Sequence, residues 1–142
     1  MNNNMDKDVL ISLKGISGQS GGEPMEFITE GKYSRIGDVY YVSYQESRMT
    51  GMDGTTTTLE IDKDSVTMRR KGSVNTSFMF KKGQKSVSHY STEYGVFTIN
   101  IVARDLDIRV DDNGGELEII YEMDAFDNKG SRNNFSMKIR EV

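Results

Sequence analysis

Apolar and polar residues alternate one for one along most of this chain, from Val9 almost to Val142, and no helical stripe replaces that period. Phe97, Ile99 and Ile101 fall on one side while Thr98, Asn100 and Val102 fall on the other. Leu117, Ile119, Tyr121 and Met123 follow the same rule, as do Phe135, Met137 and Ile139. A β-strand sends successive side chains to opposite faces, so each run reads as a strand with one face in a core and one in water. The pattern predicts strands over 9–16, 25–33, 39–46, 55–61, 66–71, 78–80, 87–92, 96–103, 106–110, 116–125 and 134–140.

The connections between these strands are short and rich in turn formers, as in Asp62-Lys63-Asp64-Ser65, Lys82-Gly83-Gln84-Lys85 and Asp111-Asp112-Asn113-Gly114-Gly115. Short links favour antiparallel neighbours joined in order, an up-and-down meander. A meander without crossover helices hides its strand edges best by curling shut, so the expected fold is all-β, a closed or nearly closed antiparallel barrel rather than a sandwich. The N-terminal strand is the expected place for an edge left open, which would allow a homodimer as well as a monomer. Gly15 to Pro24 reads as a flexible Gly- and Ser-rich loop; a strand follows it where a phosphate-cradling loop would need a helix.

Composition narrows the picture. With 142 residues the chain suits one domain, expected over 9–142 after a disordered lead-in at 1–8. Only 35% of residues are hydrophobic, which implies a thin or partly polar core. The 18 basic and 22 acidic residues leave a net charge of -4, which argues against a general nucleic-acid or anionic-membrane binder. No cysteine is present, so disulfides, thiolate metal sites and thiol nucleophiles are excluded. No run approaches the roughly 20 apolar residues that a membrane helix needs. The N-terminal stretch has no basic segment leading into an apolar one, so the expected location is cytoplasmic.

Candidate chemistry comes from polar residues that ride on apolar faces. Glu46 continues the Tyr40-Val42-Tyr44 face, and Arg70 continues the Val66-Met68 face. If Val42 and Val66 point inward, Glu46 and Arg70 do too, and a buried charge is tolerated only when paired and hydrogen-bonded. Tyr44, Tyr90, Thr92 and Tyr121 are placed to supply those hydrogen bonds. Three readings stay open: the two charges reach solvent at strand ends, they form a pair that only specifies the fold, or they line a ligand cavity.

Other motifs carry less. His89 is the only histidine and reads as an ordinary exposed or hydrogen-bonded strand residue. Asp105, Asp107, Asp111 and Asp112 lack the spacing of a calcium loop and read as a solvated acidic edge. No G-x-S-x-G elbow accompanies the lone histidine, so a hydrolase triad has no support. No metal site and no cofactor are expected.

The order Tyr44-x-Glu46, Gly51, Thr56-Thr57-Thr58 with Leu59 and Ile61, Val66-x-Met68-x-Arg70-x-Gly72, Phe78 and Phe80, Tyr90-x-Thr92-x-x-Gly95 and a late Tyr121 resembles the YwiB-like family of small bacterial proteins. The resemblance runs from about Val9 to the C-terminus. It implies a calycin-like (lipocalin-like) β-barrel and carries no established activity that could be assigned to Glu46, Arg70, Tyr44 or Tyr90. Barrels of that kind often hold small apolar or amphipathic ligands, but fold does not entail function.

Three function classes follow. The leading one is a barrel that binds a small apolar or amphipathic molecule inside, at Tyr44, Glu46, Arg70, Tyr90, Thr92 and Tyr121, with no chemistry of its own. The second is a non-catalytic protein- or RNA-interaction module that uses the outer surface, around Arg69 and Lys71. The third, an enzyme built on Glu46 and Arg70, is the least supported, because a base and an electrophile-stabilising group must be matched to a substrate.

Overall fold

The structure, a computed structural model, describes residues 5–17, 24–48, 52–92, 94–125 and 128–142. Ten strands follow one another: β1 (Met5–Ser17), β2 (Pro24–Ile36), β3 (Val39–Gln45), β4 (Thr55–Ile61), β5 (Ser65–Gly72), β6 (Thr76–Lys81), β7 (Lys85–Thr92), β8 (Gly95–Asp111), β9 (Gly114–Ala125) and β10 (Asn128–Glu141). They form one antiparallel sheet in the order β6-β5-β4-β3-β2-β1-β10-β9-β8-β7. The up-and-down barrel is nearly closed: β1 and β10 join its two halves, and the sheet's two ends meet between β6 and β7.

Alternation sets which side chains fill the interior. Val9, Ile11, Tyr33, Val42, Leu59, Ile61, Val66, Leu117, Ile119, Met137 and Ile139 are all essentially inaccessible to solvent. Burying each of these side chains contributes on the order of 1.5–3 kcal/mol relative to leaving it in water. The cross-strand register stacks them into rungs: Tyr40, Ile61, Val66 and Phe80 form one, and Val42, Leu59, Met68 and Phe78 the next. Gly31 belongs to this inner layer, and a Cβ there would collide with Ile11 Cδ1 and the Ser43 carbonyl oxygen. A residue with no side chain is required at that close approach.

Four expectations from the sequence are corrected. The separate strands expected over 96–103 and 106–110 are one 17-residue strand, β8, with a register shift between Ala103 and Asp105. The extra residue there flips the inward positions from odd to even numbers, so the alternation breaks although the strand continues. β1 begins at Met5, which pairs with Arg35, so residues 5–8 of the expected lead-in are strand; residues 1–4 lie outside the described residues. The N-terminal strand is not an open edge, being paired on both sides. The Gly- and Ser-rich loop expected over 15–24 is shorter, since β1 runs to Ser17 and β2 starts at Pro24, and residues 18–23 lie outside the described residues.

Among the described residues no helix is long and apolar enough to cross a membrane, which says nothing of membrane-spanning strands.

Candidate functional site

The barrel interior changes character along its axis. One rung beyond the apolar ones, Tyr44, Thr57, Arg70 and Thr76 lie in register on β3, β4, β5 and β6, and every one of them is polar. Glu46 follows one inward step further along the chain, just past β3, where its backbone amide donates to the Thr55 carbonyl at 2.8 Å. The lean apolar content therefore has a location: it leaves one end of the interior polar.

At this end Glu46 and Arg70 face each other. Arg70 Nε stands 3.8 Å from Glu46 Oε2, with the Glu46 side chain 2% exposed and that of Arg70 20% exposed. The Thr57 hydroxyl donates to Glu46 Oε2. Thr55, fully buried, turns its hydroxyl to accept the Val74 amide at 3.1 Å. Burial, then the negative charge of Glu46, pushes the Tyr44 phenol well above its usual range, against the opposing pull of Arg70. Burial likewise raises the Tyr121 phenol, and Arg70 works against it from across the interior. Tyr121 packs on Phe80 with ring centroids 5.2 Å apart.

Two buried polar atoms here have no hydrogen-bond partner among the described residues. They are Arg70 Nε and Thr76 Oγ1, on residues directly paired across β5 and β6. A buried donor left unsatisfied costs about 1–3 kcal/mol, and more when the group is charged.

Of the residues singled out from the sequence, Tyr44, Glu46, Arg70 and Tyr121 come together. Tyr90 and Thr92 lie on β7, paired with Phe97 and Gly95, but their side chains lie outside the described residues. Sequence reasoning missed Thr57, Thr76 and Asn133. Thr57 shares the face of Leu59 and Ile61, a signal that the even run of four threonines obscures. Asn133 is buried on β10 opposite Tyr121, where the Asn-Asn pair looks like a loop in sequence. His89 is exposed, with Nδ1 3.5 Å from the Thr98 hydroxyl oxygen.

The opposite end is capped. Tyr33 and Tyr40 stack with ring centroids 5.3 Å apart and reach across the mouth to the β8–β9 turn. The Tyr33 hydroxyl donates to the Asp111 carbonyl at 2.7 Å, and the Tyr40 hydroxyl to Asp112 Oδ1 at 2.7 Å. Arg35 Nε donates to the same carboxylate oxygen at 2.9 Å. The hydrogen bonds from Tyr40 and Arg35 hold the Asp112 carboxyl below its usual range. The acidic edge read as merely solvated thus supplies, through Asp112, the anchor of this cap.

The molecule is a small up-and-down β-barrel whose apolar interior is capped at one end and polar at the other. The family model for the domain of unknown function DUF1934 matches residues 11–137, and the chain belongs to that family. The chain is 22% identical over 130 residues to the uncharacterized β-barrel protein YwiB of Bacillus subtilis (strain 168), covering 91% of this chain and 90% of that protein. The crystal structure of the ywiB protein from Bacillus subtilis superposes with a TM-score of 0.84 at 21% identity, over 96% of this chain and 93% of the other. That likeness shows the same fold.

Proposed function

We propose that the protein is a small-molecule binder whose ligand, apolar or amphipathic, inserts its polar part at the Glu46–Arg70 end of the barrel. The observation that carries this reading is Arg70 Nε, a buried cationic donor without a hydrogen-bond partner among the described residues, 3.8 Å from the nearest carboxylate oxygen. A ligand oxygen at that position would satisfy it, while the Tyr44 and Tyr121 rings supply apolar surface with polar tips. Glu46 and Arg70 act as positioning charges in this account, and no bond is made or broken. Their exposures of 2% and 20% support an inward pair over one that reaches solvent.

Native mass spectrometry of the protein purified from its own host tests the proposal. A small-molecule adduct on the wild-type chain, absent from a Glu46→Gln/Arg70→Met variant that circular dichroism shows to be folded, is the expected result. A bare chain mass, or an adduct indifferent to that substitution, overturns it.

A further inference from the structure

β6 and β7 are consecutive, joined only by Lys82, Gly83 and Gln84, yet they are the two ends of the sheet. A hairpin this tight ordinarily zips into a ladder. Here serine side chains bridge the strands instead: the Met79 amide donates to Ser86 Oγ at 3.1 Å, and the Ser77 amide to Ser88 Oγ at 3.4 Å. A hydroxyl standing where a carbonyl would be keeps the strands a side chain apart. The barrel wall therefore has a seam.

The seam opens into a surface groove of about 660 Å³. Arg69, Arg70, Lys71 and His89 line it, and no carboxylate is among its described lining residues, although the whole chain is net acidic at -4. Arg69 is engaged by Glu60 at 2.5 Å, whereas Lys71 has no ion-pair partner among the described residues. Arg70, Thr76 and Ser88, all inward positions, line the same groove. Behind this part of the groove wall lie two of the buried atoms without a partner among the described residues, Arg70 Nε and Thr76 Oγ1.

We infer that the ligand is an anionic amphiphile, and that its carboxylate, sulfonate or phosphate head group binds at the β6–β7 seam between Arg70 and Thr76. Its apolar part runs inward over Tyr121 and Phe80. The inference rests on the binding reading above and adds the charge of the ligand and the place where it sits. The head group accepts from Arg70 Nε and from the Thr76 hydroxyl, and Lys71 at the rim supplies a screened attraction. An uncharged head group would leave the cationic groove unused.

Two fluorescent probes on one scaffold test this: 1-anilinonaphthalene-8-sulfonate, which is anionic, and N-phenyl-1-naphthylamine, which lacks the sulfonate. The sulfonate should bind the wild-type protein about tenfold more tightly, the worth of one charge-assisted hydrogen bond. Thr76→Val, which removes a hydroxyl that has no partner among the described residues, should keep or raise the melting temperature and weaken only the sulfonate, by about threefold. Bound sulfonate should shift the amide resonances of Ser77 and Met79, and inorganic phosphate should displace it only weakly. Equal binding of both probes, unchanged by Thr76→Val, overturns the seam site and leaves interior binding standing. Resonance shifts confined to the Tyr33–Tyr40 end do the same. Phosphate binding as tightly as the sulfonate overturns the amphiphile in favour of a free anion. Failure of both probes to bind removes the seam site and counts against the binding proposal as well.

Discussion

Arg70 approaches Glu46 without bonding to it: Nε stops 3.8 Å from Oε2, and the carboxylate oxygen takes its hydrogen bond from Thr57 instead. The pair is close enough for its charges to offset each other and too far apart to satisfy the guanidinium. Breaking a buried pair leaves an uncompensated charge, which is why single and double substitutions should differ. Arg70→Met should cost about 2 kcal/mol, less than for a fully buried pair because the arginine is one-fifth exposed. Glu46→Gln, which can still accept from Thr57, should cost about 1 kcal/mol. The double variant should cost less than the sum, and urea unfolding of all three measures the coupling.

The tyrosine cap makes the protein sensitive to alkali. Burial pushes the Tyr33, Tyr44 and Tyr121 phenols up, and burial together with Asp112 raises Tyr40 to about 12. A raised folded-state value means stability fully present below the unfolded phenol value of about 10 and lost as pH rises through the folded one. Stability should therefore fall from about pH 10 upward, with most phenolate absorbance appearing in the same transition as the loss of circular dichroism. Tyr40→Phe should shrink that dependence. Smooth phenol titration with the fold intact would contradict this.

On the acid side Asp112 has the opposite sign. Its folded value is depressed by Tyr40 and Arg35, so its contribution is present above the ordinary carboxylate range near 4 and fades as pH falls through the folded value. The group is exposed, so the effect should be small and weakened by salt. Comparing acid unfolding of Asp112→Asn with the wild type, in low and high salt, reads it.

Gly31 is fixed by contact rather than by backbone conformation. Gly31→Ala should destabilise the barrel by about 1–3 kcal/mol, since its Cβ would meet both Ile11 Cδ1 and the Ser43 carbonyl oxygen. Shortening Ile11 to Ala should not rescue it, because the Ser43 carbonyl is main chain. Thermal unfolding of the single and double variants checks both statements.

The serine bridges should mark the seam as the softest part of the wall. Amide exchange at Ser77 and Met79 should be faster than at Leu59 or Val66, whose strands are laddered on both sides. Ser86→Ala/Ser88→Ala should speed it further and promote association between molecules through the freed β6 edge. Size-exclusion chromatography alongside the exchange measurement would show both.

Alternation made most strands legible, because a strand with one buried face writes its period into the chain, as along Val42-Tyr44-Glu46 and Val66-Met68-Arg70. The same logic sets Glu46 and Arg70 on the inward-facing side of their strands but leaves open whether the two charges reach solvent. It failed at Arg104, where a bulge breaks the period without ending the strand, and at Met5–Asp8, where strand pairing orders a segment whose composition looks like a tail. It could not show the seam, since nothing local in Ser86 or Ser88 says that a hydroxyl will replace a ladder bond. The polar rung was half visible for a related reason: Thr57 and Thr76 gain meaning only from the register that sets them beside Tyr44 and Arg70.

The most direct measurement is an experimental structure of the protein purified from its own host. Density for a small molecule with an oxygen within hydrogen-bonding distance of Arg70 Nε is the outcome this account expects. A guanidinium satisfied entirely by protein groups, with Tyr121 and Phe80 packed over it and no space left, would contradict it.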